Sequence, residues 1–154
     1  MKHKYINRFS NIYKKKIICL LFIILVVQSI KIYTCNWYDA HTYDRVELKM
    51  ENSKSQCNTN QLSNGENLDH GDEDIFDNNA SLGDCFEWPI DDVNSTISVT
   101  VSKWGTDDWG FCWAKIFTSD SKMYYYCKNP NDYHMSTGYP LTIKMECWPY
   151  SFLI

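Results

Sequence analysis

Seven cysteines are the side chains in this 154-residue chain with the widest chemistry open to them. A thiolate can be oxidised to a disulfide, bind a soft metal or attack as a nucleophile, and the compartment decides among the three. Six of them, Cys35, Cys57, Cys85, Cys112, Cys127 and Cys147, follow an N-terminal lead that points to a compartment. Lys14, Lys15 and Lys16 run straight into the unbroken apolar stretch 17–27, which Gln28 and Ser29 close. A cationic lead, a short apolar core and a small residue at its end mark a secretory signal peptide over 1–29, with cleavage expected after Ser29. The 11 apolar residues, with Lys31 soon after, fall short of the roughly 20 that a spanning helix needs, so no stable membrane insertion is expected. The chain is therefore expected to be secreted and extracellular.

Cleavage discards Cys19 and leaves an even six, which in an oxidising compartment read as three disulfides. No C-x-x-C pair and no finger-like Cys/His spacing occurs, so neither zinc nor another cofactor is expected. Three of the six lie before residue 100 and three after it, so complete pairing forces at least one bridge between the halves. That favours one cross-linked domain over 30–154. If the hairpin expected over 109–127 closes symmetrically between Ser119 and Asp120, Cys112 faces Cys127 across two strands, within reach of a bridge.

Other side chains offer less. His41 and His134 could form the acid/base pair of a small secreted hydrolase, but no nucleophile, zinc-protease or phosphate-loop motif accompanies them. Asp72, Glu73, Asp74 and Asp77 could serve calcium, and Asp107 and Asp108 form a smaller acidic pair. Phe76 breaks the calcium-loop pattern, and a solvated acidic loop is the stronger reading. Asn79 and Asn94 each begin an N-x-S/T sequon and are candidate glycan acceptors in a secretory chain. Trp104, Trp109, Phe111 and Trp113 crowd ten residues. If Cys112, Ala114 and Ile116 face the core, Trp109, Phe111 and Trp113 point outward as a row on which a sugar ring or a protein partner could dock. The competing and stronger interpretation buries the row in a second packed layer.

Charge narrows the partners. None of the 19 acidic side chains precedes residue 30, whereas 6 of the 15 basic ones do, so the mature chain carries net −10 rather than −4. Such a body repels phosphate backbones and anionic membranes, which excludes nucleic acid as an expected partner.

The elements that must position these groups are strands. Residues 43–50 alternate, with Val46, Leu48 and Met50 on one side, as do 96–103 with Ile97, Val99 and Val101. Further strands are predicted over 109–117, 122–127 and 141–148. Residues 51–83, polar and poor in apolar side chains, read as a long acidic loop tethered by Cys57 and Cys85. No long helix is predicted. The expected fold is all-β, a small antiparallel sandwich or barrel stapled by disulfides, for which a calcium-lipid-binding (C2-like) or immunoglobulin-like topology would suit the strand spacing. The expected role is extracellular recognition of a protein or glycan, with a small hydrolase or a structural surface component as the rival classes.

Overall fold

Apolar and polar residues alternate in these segments because a pleated strand sends successive side chains to opposite faces, one toward the core and one toward water. The computed structural model describes residues 25–36, 40–63, 68–91, 94–130, 134–135 and 141–151. Over them the chain forms β1 (Leu25–Thr34), β2 (Arg45–Glu51), β3 (Gln56–Asn58), β4 (Glu73–Phe76), a short helix α1 (Asn79–Leu82) and β5 (Pro89–Ile90). Then follow β6 (Ile97–Trp104), β7 (Trp109–Thr118), β8 (Met123–Lys128), β9 (His134–Met135) and β10 (Leu141–Ser151). The strands join one antiparallel sheet in the order β3-β2-β6-β10-β8-β7-β1-β4, with β5 on β1 and β9 on β7, curled into a half-barrel. This is the all-β, disulfide-stapled class expected from the sequence.

The curl gives the sheet an inside. Val46, Leu48 and Met50 of β2 and Ile97, Val99 and Val101 of β6 pack in one core with Ile30 and Ile32 of β1 and Ala114 and Ile116 of β7. β10 turns the corner: residues 141–147 pair with β6, and residues 148–151 pair with β8. The segment after β4 is tied back to edge strand β3 and adds Leu82, Cys85 and Trp88 to the same core. There Asn60 N–H donates to the Ser81 carbonyl at 3.0 Å, and Cys57 of edge strand β3 is bonded to Cys85. Asn78 caps α1 by accepting from Ser81 N–H at 3.0 Å.

All six expected cysteines are bridged, as Cys35–Cys112, Cys57–Cys85 and Cys127–Cys147. The expected Cys112–Cys127 bridge is therefore corrected. Asp120 accepts from Lys122 N–H through its side chain at 2.9 Å and from Met123 N–H through its carbonyl at 3.0 Å. These bonds centre the turn one residue later than the symmetric hairpin assumed, so Ala114, not Cys112, lies opposite Cys127. Cys127 instead meets Cys147, in register with the neighbouring Tyr126–Trp148 pair.

Two boundaries also change. Residues 51–83 are not one loop: they hold β3, β4 and α1, ordered by pairing of β3 with β2 and β4 with β1 and by burial of Cys57, Leu62, Leu68 and Leu82 in the core. The folded sheet begins before Ile30. Leu25 and Val27 are buried, Leu25 and Val26 pair with β5, and Ser119 N–H donates to the Val26 carbonyl at 2.8 Å. A cut after Ser29 would pass through the middle of β1. The cationic lead, residues 17–24 of the apolar stretch and Cys19 lie outside the described residues.

Candidate functional site

The outward face of the sheet changes character where β10 changes partner. In the half built on β2 and β6 it is charged and polar: Arg45 pairs with Glu47, and Lys49 and Lys144 both pair with Glu51. The two lysines hold the Glu51 carboxyl below its ordinary value, chiefly through the Lys49 hydrogen bond and charge. From Trp148 onward the face is aromatic.

The aromatic half is assembled from four strands. Tyr33 of β1 lies opposite Trp113 of β7, Phe117 opposite Tyr124 of β8, Tyr126 opposite Trp148 of β10, and Tyr124 opposite Tyr150. The rings touch in a continuous chain. Tyr33 and Trp113 stack with centroids 5.1 Å apart, Trp113 and Tyr126 lie at 6.0 Å, and Tyr126 meets Tyr150 edge-on at 6.0 Å. Tyr150 stacks on Tyr124 at 5.7 Å, and Tyr124 contacts Phe117 at 5.8 Å. Cross-strand aromatic pairs of this kind each add about 0.5–1.5 kcal/mol beyond burial. Part of the platform's role is therefore to stiffen the sheet. Trp148 and Tyr150, however, keep 57% and 47% of their surface in water, which stiffening alone does not require.

Lys115 sits in the middle of the platform. Its ammonium lies 4.6 Å from the Trp113 ring centre and 5.7 Å from that of Tyr124. These groups, with Tyr126 and Tyr150, line a shallow depression of about 320 Å³, at the small end of ligand-site volumes.

The sequence-predicted row divides. Trp113 joins the platform, but Trp109 and Phe111 are fully buried. The cause is a bulge in β7: Tyr33 faces Trp113 and Thr34 faces Phe111, leaving Cys112 without an opposite number on β1. One extra residue reverses the parity, so Phe111 turns inward on the same side as Ala114 and Ile116. Asn129 braces the bulge, its amide donating to the Phe111 carbonyl at 2.7 Å and its N–H to that of Cys112 at 3.0 Å. The Trp109 indole donates to Thr34 Oγ at 3.1 Å. Trp104 lies in the polar half, half-buried under the Arg45 guanidinium.

The histidines do not form a described pair. The His41 ring packs edge-on against Tyr43 at 5.9 Å, and the side chain of His134 lies outside the described residues. The acids are spread out. Glu73 is bonded to Lys31 at 2.7 Å, and the Asp107 carboxylate accepts from Tyr43 N–H at 3.1 Å. Among the described residues no three His, Cys, Asp or Glu side chains converge as a metal site. Asn79 and Asn94 are both exposed.

Sequence reasoning missed Tyr33, Phe117, Trp148 and Tyr150 as members of one surface. The outward parity of Trp148 and Tyr150 after Cys147 was readable, but not which strand would lie beside them. It also missed Lys103, which continues the inward set Ile97, Val99, Val101 and is fully buried. The Lys103 ammonium bonds the Asp44 carboxylate at 2.6 Å and also donates to the Asp107 carbonyl. Gly105, at φ +142°, makes room for this cluster: a Cβ there would lie 1.9 Å from the Asp44 carboxylate.

No family model and no curated protein matches the chain. Among solved structures it is similar to crystal structures of a LOX variant, Delta413-417:GS LOX, with TM-score 0.56 and 11% identity. A second form, carrying I805A, gives 0.54 and 12%, and one in complex with arachidonate gives 0.53 and 12%. The matches cover 80–82% of this chain but only 16% of those chains. The likeness extends to the fold of that segment alone.

Proposed function

We propose that this chain is a secreted, disulfide-stapled recognition protein that binds an extracellular protein or glycan through the aromatic half of its sheet, acting by binding rather than catalysis. The observation that carries it is the connected platform from Tyr33 to Tyr150, with Trp148 and Tyr150 half in water. Flat rings with polar edges are the surface that sugars and protein hot spots use. Secretion is supported by the cationic, apolar lead and by six bridged cysteines, a combination that reducing compartments rarely hold. We propose that processing falls before Leu25, a reading supported by the burial of Leu25 and Val27 and by the pairing of Leu25 and Val26 with β5. That shift leaves the mature charge at −10, since no charged residue lies between 17 and 30. Glycans on the exposed Asn79 and Asn94 complete the proposal.

The test is binding of the oxidised protein to a glycan array and to a panel of purified extracellular domains. Trp113→Ala combined with Tyr150→Ala should abolish the strongest signal, while Thr142→Ala combined with Glu146→Ala in the polar half should leave it intact. A signal that survives the aromatic pair with the fold preserved refutes the platform as the binding surface.

A further inference from the structure

Nine basic side chains follow residue 30, in a body of net charge −10. Six of them, Lys31, Arg45, Lys49, Lys54, Lys103 and Lys144, are ion-paired with a carboxylate. With acids in twofold excess that is the ordinary outcome. The three that make no ion pair among the described residues are Lys115, Lys122 and Lys128, and all three lie on the β7–β8 hairpin. Lys128 stands opposite Trp113, and Lys115 stands opposite Tyr126 on one side and Lys31 on the other. Glu73 neutralises Lys31, so Lys115 is left as the cation over the Trp113 ring with no carboxylate partner among the described residues, where an external anion could reach it.

We infer that the platform takes an acidic saccharide, a sugar chain bearing carboxylate or sulfate groups, with rings stacked on Trp113, Tyr126 and Tyr150 and an anionic group on Lys115. The inference rests on the platform being the recognition surface. Three features select this ligand. The depression of about 320 Å³ is sized for a small polar unit rather than a deep ligand. Four of the seven outward rings, Tyr33, Tyr124, Tyr126 and Tyr150, are tyrosines, which set hydroxyl groups beside flat apolar faces, as a sugar presents C–H faces beside its own hydroxyls. The rings also pack side by side in the sheet instead of projecting as wedges into a bilayer, and because the −10 body repels anions in general, attraction for an anionic group is local to the lysines of this hairpin.

The experiment measures affinity for heparin oligosaccharides and oligogalacturonate at low and physiological salt. Neutral dextran oligosaccharides, phosphatidylserine vesicles and polyglutamate serve as competing probes. Acidic saccharides should bind best and weaken as salt rises. Lys115→Met should lower affinity about tenfold, the scale of one charge-assisted hydrogen bond, while Lys115→Arg retains it and Lys144→Met, in the paired polar half, leaves it unchanged. Circular dichroism of each variant confirms the fold. Equal binding of dextran, or indifference to Lys115→Met while Trp113→Ala abolishes binding, overturns the acidic-saccharide inference and leaves the platform standing. Vesicles or polyglutamate bound in preference to saccharides overturn it too. No probe binding, with Trp113→Ala without effect on any other ligand found, removes both.

Discussion

Asp44→Ala should be among the most damaging single substitutions in this protein, although Asp44 lies outside the hydrophobic core. Lys103 is completely buried and the Asp44 side chain is 17% exposed, with 2.6 Å between ammonium and carboxylate. Removing Asp44 strands a buried cation, which costs about 3–5 kcal/mol in comparable cases. It also removes the acceptor of the Asp107 N–H, bonded at 2.8 Å, worth about 1 kcal/mol. A loss of about 4–6 kcal/mol corresponds to a fall in Tm of roughly 15–25 °C for a domain of this size. Lys103→Met should cost less, because the Asp44 carboxylate keeps the Asp107 N–H and some water. The double variant Asp44→Ala/Lys103→Met should recover about 2 kcal/mol relative to Asp44→Ala, since no buried charge is left alone. Lys54→Met breaks a pair whose lysine is 71% exposed and should cost about 0–1 kcal/mol. Urea unfolding of the four variants against wild type measures all of this. If Asp44→Ala is no worse than Lys54→Met, or the double variant is no better than Asp44→Ala, the buried-cation reasoning is wrong.

Three further outcomes can be checked with the same preparation. A chain beginning at Ile30 loses the buried Leu25 and Val27 and should be about 3–6 kcal/mol less stable than one beginning at Leu25, whereas equal melting temperatures would show that the first half of β1 is dispensable. Non-reducing peptide maps should yield the three bridges described. Opening Cys35–Cys112, which spans 77 residues, should cost about 1 kcal/mol more than opening Cys127–Cys147, which spans 20, on loop entropy alone. Glu51 should titrate below an ordinary glutamate by NMR and return toward it in Lys49→Met. Because its folded pKa is depressed, its contribution is present above the unfolded pKa and fades as pH falls through the folded one.

Much of the fold was legible in the chain. The inward sets Val46–Leu48–Met50 and Ile97–Val99–Val101 follow from a period of two, and they occupy the core as expected. Less of the site was legible. Strand parity alone sets Trp109, Phe111 and Trp113 on one face, either an outward row or, as the stronger reading, a buried layer; the bulge at Cys112 instead divides them, with Trp109 and Phe111 inside and Trp113 on the outer face. Lys103 shared the parity of its apolar neighbours, yet its charge hid an inward position that only Asp44, 59 residues away, makes tolerable.

What the amino-acid sequence determined by itself was everything that depends on a residue and its near neighbours. That covers the strand periodicity, the even set of cysteines behind an apolar lead, and the acidic balance. The tertiary structure decided what depends on which strands lie side by side. It set the three cysteine pairings, the inclusion of Leu25 to Ser29 in the folded sheet, the gathering of rings from four strands onto one face, and the placing on one hairpin of the lysines that make no ion pair among the described residues. The physical reason is that a pleat imposes its alternation locally, whereas register is set by turns and bulges. A turn centred at Asp120 and one extra residue at Cys112 were enough to exchange disulfide partners and divide the aromatic row between core and surface.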